Sequence, residues 1–91
     1  PGALELPFAA LKEIKNNKPN VLIALGVVIQ GETDHYEHVC TQTFRGLMDV
    51  QLQTETPIVF GVLTCKTENQ AVDRIENGKW FAETAIKMAR I

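Results

Sequence analysis

Two stretches of the chain are apolar almost without interruption, and both are bounded by residues typical of turns. The first stretch covers Val21–Ile29 and the second covers Ile58–Leu63. Apolar runs of this length between turn residues predict strands that are buried on both faces, as in parallel sheets with helices on each side. We therefore expect two parallel strands joined by a right-handed helical crossover.

Helical spacing of apolar residues predicts a long helix between the strands, from His35 to about Gln53. Its apolar face comprises Tyr36, Val39, Cys40, Phe44, Leu47 and Met48. Thr56-Pro57 is expected to end this segment. The long helix forms the crossover of the predicted strand–helix–strand unit.

Three shorter helices are predicted outside this unit. They cover Pro7 to about Asn16, Glu68–Arg74 after a Thr67 cap, and Lys79–Ile91. The last helix is expected to bury Phe81, Ala82, Ala85, Ile86 and Ala89. The order of elements is typical of an α/β fold, a three-layer α/β/α sandwich with a parallel sheet.

Length, composition and charge exclude several classes of protein. The chain has 91 residues, 45% hydrophobic and 22% charged, as in an ordinary single globular domain. A net charge of -2 argues against binding to nucleic acid, and the longest apolar run is too short for a membrane span. Two cysteines are too few for a disulfide scaffold and fit a reducing compartment, so we expect a cytoplasmic protein.

The loop Gln30–Asp34 follows the first strand and leads into the long helix. Ligands of parallel sheets bind beyond the carboxyl ends of strands, and a helix N-terminus favours anions. Gly31 permits close backbone approach and Thr33 adds a hydroxyl donor. The acids Glu32 and Asp34 instead suit a well-capped helix, with Asp34 as the cap. Both interpretations, an anion site and a simple cap, stay open.

Several side chains near the strand ends have a functional and a structural interpretation. His35 can transfer protons near neutral pH or be an inert surface residue, and His38 is expected to face solvent or to pack. Arg74 can grip a phosphate in bidentate fashion or remain an exposed charge. Cys65 is a possible nucleophile, but no His or Lys is identifiable from the sequence as its activating group, and Phe60 is expected in the core.

Three blocks of the sequence resemble motifs of the 6,7-dimethyl-8-ribityllumazine synthase family. Residues 26–36 are similar to G-x-[VL]-I-[RK]-G-x-T-x-H-[FY], and residues 1–7 to V-P-G-[AS]-[FWY]-E-[LI]-P. Residues 60–64 and 70–74 are similar to F-G-V-[LI]-T and [EQ]-Q-A-x-x-R. The blocks stand in the order of the family and span nearly the whole chain, and they imply a flavodoxin-like fold.

The resemblance implies the penultimate step of riboflavin biosynthesis. There, 5-amino-6-ribitylamino-uracil condenses with 3,4-dihydroxy-2-butanone 4-phosphate to 6,7-dimethyl-8-ribityllumazine, with release of phosphate and water. It also implies catalysis without a cofactor or a metal ion. Pentamers or icosahedral assemblies of pentamers, with active sites shared between subunits, are implied as well. The alternative is a non-catalytic relative of the same fold that binds a flavin or forms a shell.

The resemblance further implies roles for individual residues, with His35 as the proton-transfer residue. The phosphate would be bound by Gly31, Glu32, Thr33, Arg74 and Lys79. The ring and the ribityl chain would be bound by Gly2, Ala3, Leu4, Glu5, Val28, Ile29 and Phe60. Of these, Glu5 would bond to the ribityl hydroxyls, and Phe60 would reach the pyrimidine held by a neighbouring subunit.

The chain departs from the family pattern in three places. Leu4 stands where an aromatic residue is usual, and Gln30 replaces the usual basic residue. After Arg74 the family usually continues with A-G and a loop that contains Gly, Asn and Lys. Here that segment is short, which leaves Lys79 as the candidate for the loop lysine.

The resemblance also bears on domain organisation. Residues 1–91 would form a single lumazine-synthase domain. Relative to the family, this domain would lack the N-terminal strand–helix–strand. It would also lack residues of the loop between positions 75 and 76.

Overall fold

Two parallel strands form the centre of the structure, a computed structural model that describes residues 2–30 and 35–91. Strand β1 covers Leu22–Ile29 and strand β2 covers Ile58–Cys65. Their register places Leu22 opposite Ile58 at one end of the pair and Ile29 opposite Cys65 at the other. The predicted pair of parallel strands is therefore confirmed.

Four α-helices accompany the strands in the described part of the chain. They are α1 (Leu6–Asn17), α2 (His35–Thr54), α3 (Glu68–Asp73) and α4 (Gly78–Ala89). Single 3₁₀ turns precede α1, at Ala3–Glu5, and α4, at Ile75–Asn77. Every predicted helix is confirmed, with ends that agree within one or two residues.

Local interactions explain where these elements begin. Pro7 stands in the first turn of α1, where its missing amide proton costs no hydrogen bond. Thr67 caps α3, as predicted, because its Oγ1 accepts a hydrogen bond from the Gln70 amide at 3.3 Å. The Gln51 side chain accepts a hydrogen bond from the Ile58 amide at 2.7 Å, which ties α2 to the first residue of β2.

The helices lie on both faces of the sheet, so the predicted three-layer α/β/α arrangement is confirmed for the described residues. One face packs with α1 and α2 around a core of Ala10, Ile14, Ala24, Val28, Val39, Leu47, Val50, Ile58 and Val62. The other face contacts α3 and α4. Gly61 of β2 lies against Phe81 of α4 there, since an added Cβ would come 3.2 Å from the ring.

Strand β1 is buried on one face only, so the prediction that it is buried on both is wrong. Ala24 and Val28 are buried, whereas Leu25 is 64% exposed and Val27 is 50% exposed. The reason is that α3 and α4 pack mainly against β2. The outward face of β1 thus remains an apolar surface.

Strand β2 extends two residues further than predicted, through Thr64 and Cys65. The apolar run that predicts this strand ends at Leu63, where the polar Thr64 follows. The ladder nevertheless includes Thr64 and Cys65, and the Gln30 amide donates to the Cys65 carbonyl oxygen at 2.8 Å. Cross-strand hydrogen bonds, rather than hydropathy, therefore decide where β2 ends.

The buried faces of α2 and α4 differ from the predicted ones. In α2, Thr43 is fully buried while Met48 is 43% exposed, because the contact stripe follows Val39, Thr43, Leu47 and Val50. In α4 the described burial is confined to Ala85, with Phe81 half-buried. The predictions for Ala82, Ile86 and Ala89 are wrong, since all three are exposed.

Candidate active site

A surface pocket of about 250 Å³ joins the N-terminal segment to the start of α2. It is lined by Gly2, Ala3, Leu4, Glu5, His35 and Val39. The segment and His35 are distant in sequence but meet because the 3₁₀ turn packs against α2. The predicted proton-transfer residue and the first block of predicted ring and ribityl residues therefore line the same pocket.

Mutual hydrogen bonds hold the N-terminal segment in one conformation. The Gly2 amide donates to Glu5 Oε2 at 3.0 Å, and the Glu5 amide donates to the Gly2 carbonyl oxygen at 3.2 Å. The bonds are reciprocal, because each residue donates its amide to the other, and together they close the turn Ala3–Glu5. The Glu5 side chain is exposed, and a carboxylate that accepts one bond keeps further lone pairs for a ligand.

His35 is the first residue of α2 and its side chain is exposed at the pocket. Val39, one turn later, is buried and forms the apolar part of the pocket wall. His38 is exposed and is not part of the lining, so of its two expected environments the structure shows exposure to solvent. The two histidines of the chain thus have different environments.

Residues 31–34 lie outside the described residues. The predicted phosphate loop, Gly31, Glu32 and Thr33, and the predicted cap Asp34 belong to this segment. In sequence they connect Gln30, next to the end of β1, with His35.

Arg74 is anchored at the carboxyl end of β2. Its Nη1 donates to the Thr64 carbonyl oxygen at 3.0 Å and lies 3.6 Å from Cys65 Sγ. The residue caps the C-terminus of α3, and its side chain is exposed. Of its two interpretations, the exposed charge agrees with this exposure, and the contact to phosphate stays a prediction. An arginine that is held at one nitrogen keeps other N–H donors for an anion.

The turn between β2 and α3 explains the anchoring of Arg74. Gln70 Oε1 accepts a hydrogen bond from the Lys66 amide at 2.8 Å, while Thr67 caps the helix. These bonds direct the short helix so that its C-terminal end returns to the end of β2. Sequence reasoning missed the partners Thr64 and Cys65. The sequence signal that could have indicated them is their position directly after the apolar run Ile58–Leu63, at the carboxyl end of the predicted strand.

A second, more apolar cleft of about 380 Å³ lies on the other face of the sheet and has Arg74 in its wall. Its lining comprises Leu25, Gly26, Val27, Gly61, Leu63, Arg74, Gly78 and Phe81. His35 is not in this lining. Among the described residues, His35 and Arg74 therefore line different clefts of one subunit.

The remaining predicted site residues line neither of these two clefts. Val28 is buried in the core with α1 and α2, and Ile29 points to the opposite face. Phe60 is half-buried and stacks on Phe44, with ring centroids 5.9 Å apart. Lys79 is exposed in the first turn of α4.

The described residues, 2–30 and 35–91, lack two features. None of their His, Cys, Asp and Glu side chains form a group of three or more that could hold a metal ion. None of their helices combines the length and the apolar character needed to cross a membrane.

The fold defines a class: an α/β protein with parallel strands, in which Arg74 is held at the carboxyl end of β2 and His35 begins the helix that follows β1. A family model described as 6,7-dimethyl-8-ribityllumazine synthase matches residues 1–91, and the chain belongs to that family. The resemblance of the three sequence blocks is thereby confirmed. Membership supports a role in riboflavin biosynthesis and an activity of the transferase type.

Proposed function

We propose that the protein condenses 5-amino-6-ribitylamino-uracil with 3,4-dihydroxy-2-butanone 4-phosphate to 6,7-dimethyl-8-ribityllumazine. The observation that carries the proposal is the pocket shared by His35 and the N-terminal segment Gly2–Glu5. A proton-transfer group and groups that bind the ring and the ribityl chain are needed side by side in this reaction. Family membership supports the same assignment.

His35 moves protons in the proposed mechanism. The aromatic amine attacks the ketone and forms a Schiff base with loss of water, phosphate leaves by elimination, and the ribitylamino nitrogen condenses with the remaining carbonyl to close the second ring with loss of a second water. Each step transfers protons, and the imidazole of a histidine can act both as a general acid and as a general base. The exposed position of His35 at the pocket gives a substrate access to its ring.

The uracil substrate binds in the pocket of the N-terminal segment. Backbone groups of Gly2, Ala3 and Leu4 contact the ring, and the exposed Glu5 carboxylate accepts hydrogen bonds from ribityl hydroxyls. The hydrogen bond from the Gly2 amide to the Glu5 carboxylate supports this role for Glu5, since a preorganised acceptor loses little entropy on binding. The sequence resemblance extends the ring site to Val28, Ile29 and Phe60.

The phosphate of the second substrate binds to Arg74 together with Gly31, Glu32 and Thr33 before the N-terminus of α2, and with Lys79. An anchored guanidinium supports this role, because a bidentate contact to phosphate requires a defined orientation. Backbone amides before a helix complement the negative charge. Bound in this way, phosphate is positioned and stabilised as a leaving group.

We also propose that each active site is shared between two subunits of a homo-oligomer. Two observations support this arrangement: His35 and Arg74 line different clefts, and large apolar side chains are exposed. The latter include Ile23, Leu25 and Val27, which lie side by side on the outward face of β1. Apolar exposure on this scale is typical of surfaces that are covered in an assembly.

Subunit mixing tests the shared site. A His35→Asn variant and an Arg74→Gln variant are each purified, dissociated, mixed and reassembled, and the mixed oligomers are verified by native mass spectrometry. If one subunit supplies His35 and its neighbour Arg74, mixed oligomers regain part of the activity. Mixed oligomers as inactive as their parents would contradict the shared site.

Turnover of both substrates tests the function itself. The purified protein is expected to form the lumazine, followed by its absorbance and fluorescence, well above the uncatalysed rate. Binding of the lumazine or of a flavin without turnover would instead identify the non-catalytic relative. A protein that shows no binding and no turnover would contradict both the synthase and the non-catalytic relative.

A further inference from the structure

The thiol of Cys65 is almost completely buried, with 1% of its surface exposed, although the residue stands at the end of a strand. Its Sγ lies 3.6 Å from Arg74 Nη1. We propose that Cys65 is a positioning residue, which holds the Arg74 guanidinium in the orientation that binds the substrate phosphate. This inference rests on the proposed function, in which Arg74 is a phosphate ligand.

Two acceptors converge on one nitrogen of Arg74. The Thr64 carbonyl oxygen and Cys65 Sγ both accept from Nη1, at 3.0 Å and 3.6 Å. Two acceptors that approach Nη1 from different directions restrain both the position of the guanidinium and the orientation of its plane, because the group is rigid and planar. The donors on Nη2 and Nε are left out of these contacts and form the edge that faces an anion.

A restraint of this kind matters because an exposed arginine side chain has many accessible rotamers. Its side chain is exposed and follows a helix of six residues. Long flexible side chains lose rotamer freedom when they bind a ligand, and a side chain that is already held loses less. The contribution of Cys65 should therefore appear as tighter binding of the phosphorylated substrate.

Substitution of Cys65 tests the inference. Because a thiol is a weak acceptor, Cys65→Ala is expected to raise the KM for the phosphorylated substrate roughly threefold, with a similar loss of inhibition by inorganic phosphate. The KM for the uracil substrate should not change, and kcat should change little. Cys65→Ser keeps an acceptor and is expected to restore most of the lost affinity.

Cys40→Ala is the matched control, because Cys40 is half-buried on α2 and has no contact with Arg74. It removes a thiol that packs against the core without touching the phosphate site. If Cys65→Ala leaves the KM for the phosphorylated substrate unchanged, the inference is wrong. So would an equal rise in Cys40→Ala, since that result would indicate a general effect of core packing.

A direct measurement of Arg74 separates this inference from the proposed function. In protein labelled with ¹⁵N-arginine, relaxation of the Nε–H group of Arg74 reports the order of its side chain. Cys65→Ala is expected to increase its mobility, whereas Cys65→Ser and Cys40→Ala leave it unchanged. A wild-type protein without turnover would overturn the proposed function alone, while unchanged mobility in Cys65→Ala would overturn the positioning role.

Discussion

Pro7 of α1 and Gly46 of α2 are in such close contact that no side chain fits between them. A Cβ atom at position 46 would lie 2.6 Å from Pro7 Cγ and 2.8 Å from Pro7 Cβ. Real Cβ atoms do not approach other carbon atoms so closely. The absence of a side chain at Gly46 therefore sets the distance between the two helices that cover one face of the sheet.

Gly46→Ala is expected to lower the free energy of unfolding by about 1–2 kcal/mol. The clash with Pro7 costs more than the roughly 1 kcal/mol that alanine gains over glycine inside a helix. Urea unfolding followed by circular dichroism measures the change. Gly78→Ala is the control, because a Cβ there meets no atom within 4 Å and stability should not fall. Equal losses in both variants would contradict the contact.

Thr43→Val is expected to raise the free energy of unfolding by about 0.5–1 kcal/mol. Thr43 is fully buried, and its Oγ1 has no hydrogen-bond partner among the described residues. Valine has the same branched shape and removes the cost of burying an unpaired hydroxyl. Thr41→Val, at an exposed position of the same helix, should change stability by less than about 0.5 kcal/mol. A destabilised Thr43→Val variant would show that the hydroxyl is bonded.

Lys18→Gly is expected to stabilise the protein by about 0.5–1 kcal/mol. Lys18 ends α1 in the left-handed conformation, with φ 47° and ψ 55°, which glycine adopts without strain. Thermal unfolding measures the effect. Lys15→Gly, inside the last turn of α1, should instead lower stability by about 1 kcal/mol. A loss of stability in both variants would show that the backbone at position 18 carries no strain.

His35→Asn is expected to lower kcat by about 100-fold or more, because the proposed proton transfers lose their acid and base. Initial rates of lumazine formation with both substrates in excess give kcat. His38→Asn changes an exposed histidine of the same helix that lies outside the pocket, so its kcat should match that of the wild type. If His35→Asn and His38→Asn have the same kcat, His35 is not the proton-transfer residue.

Arg74→Gln is expected to raise the KM for the phosphorylated substrate at least about tenfold, since charged hydrogen bonds contribute about 1.5–3 kcal/mol. Arg74→Lys should recover part of this loss, because lysine keeps the charge but not the planar fork. Arg45→Gln is the control: Arg45 lies on α2 and bonds to Gln42 at 3.3 Å. Steady-state kinetics at varied concentrations of the phosphorylated substrate give the KM. An unchanged KM in Arg74→Gln would contradict the role of Arg74 in binding phosphate.

Local pattern was sufficient for most of the secondary structure. The apolar run Val21–Ile29 predicted β1, and the Thr67 cap predicted the start of α3, because both depend on neighbours in the sequence. The exposed face of β1 was not predictable in this way. Its burial depends on which strand α3 and α4 cover, and that is decided by contacts between distant segments.

The sequence by itself determined the order of elements, the family blocks and the identity of the candidate residues His35 and Arg74. The tertiary structure decided which of these residues meet. His35 meets the Gly2–Glu5 segment because a 3₁₀ turn packs on α2, and Arg74 meets Cys65 because a short helix returns to the end of β2. The physical reason is that composition and periodicity report the environment of one segment, whereas a site requires the packing of several.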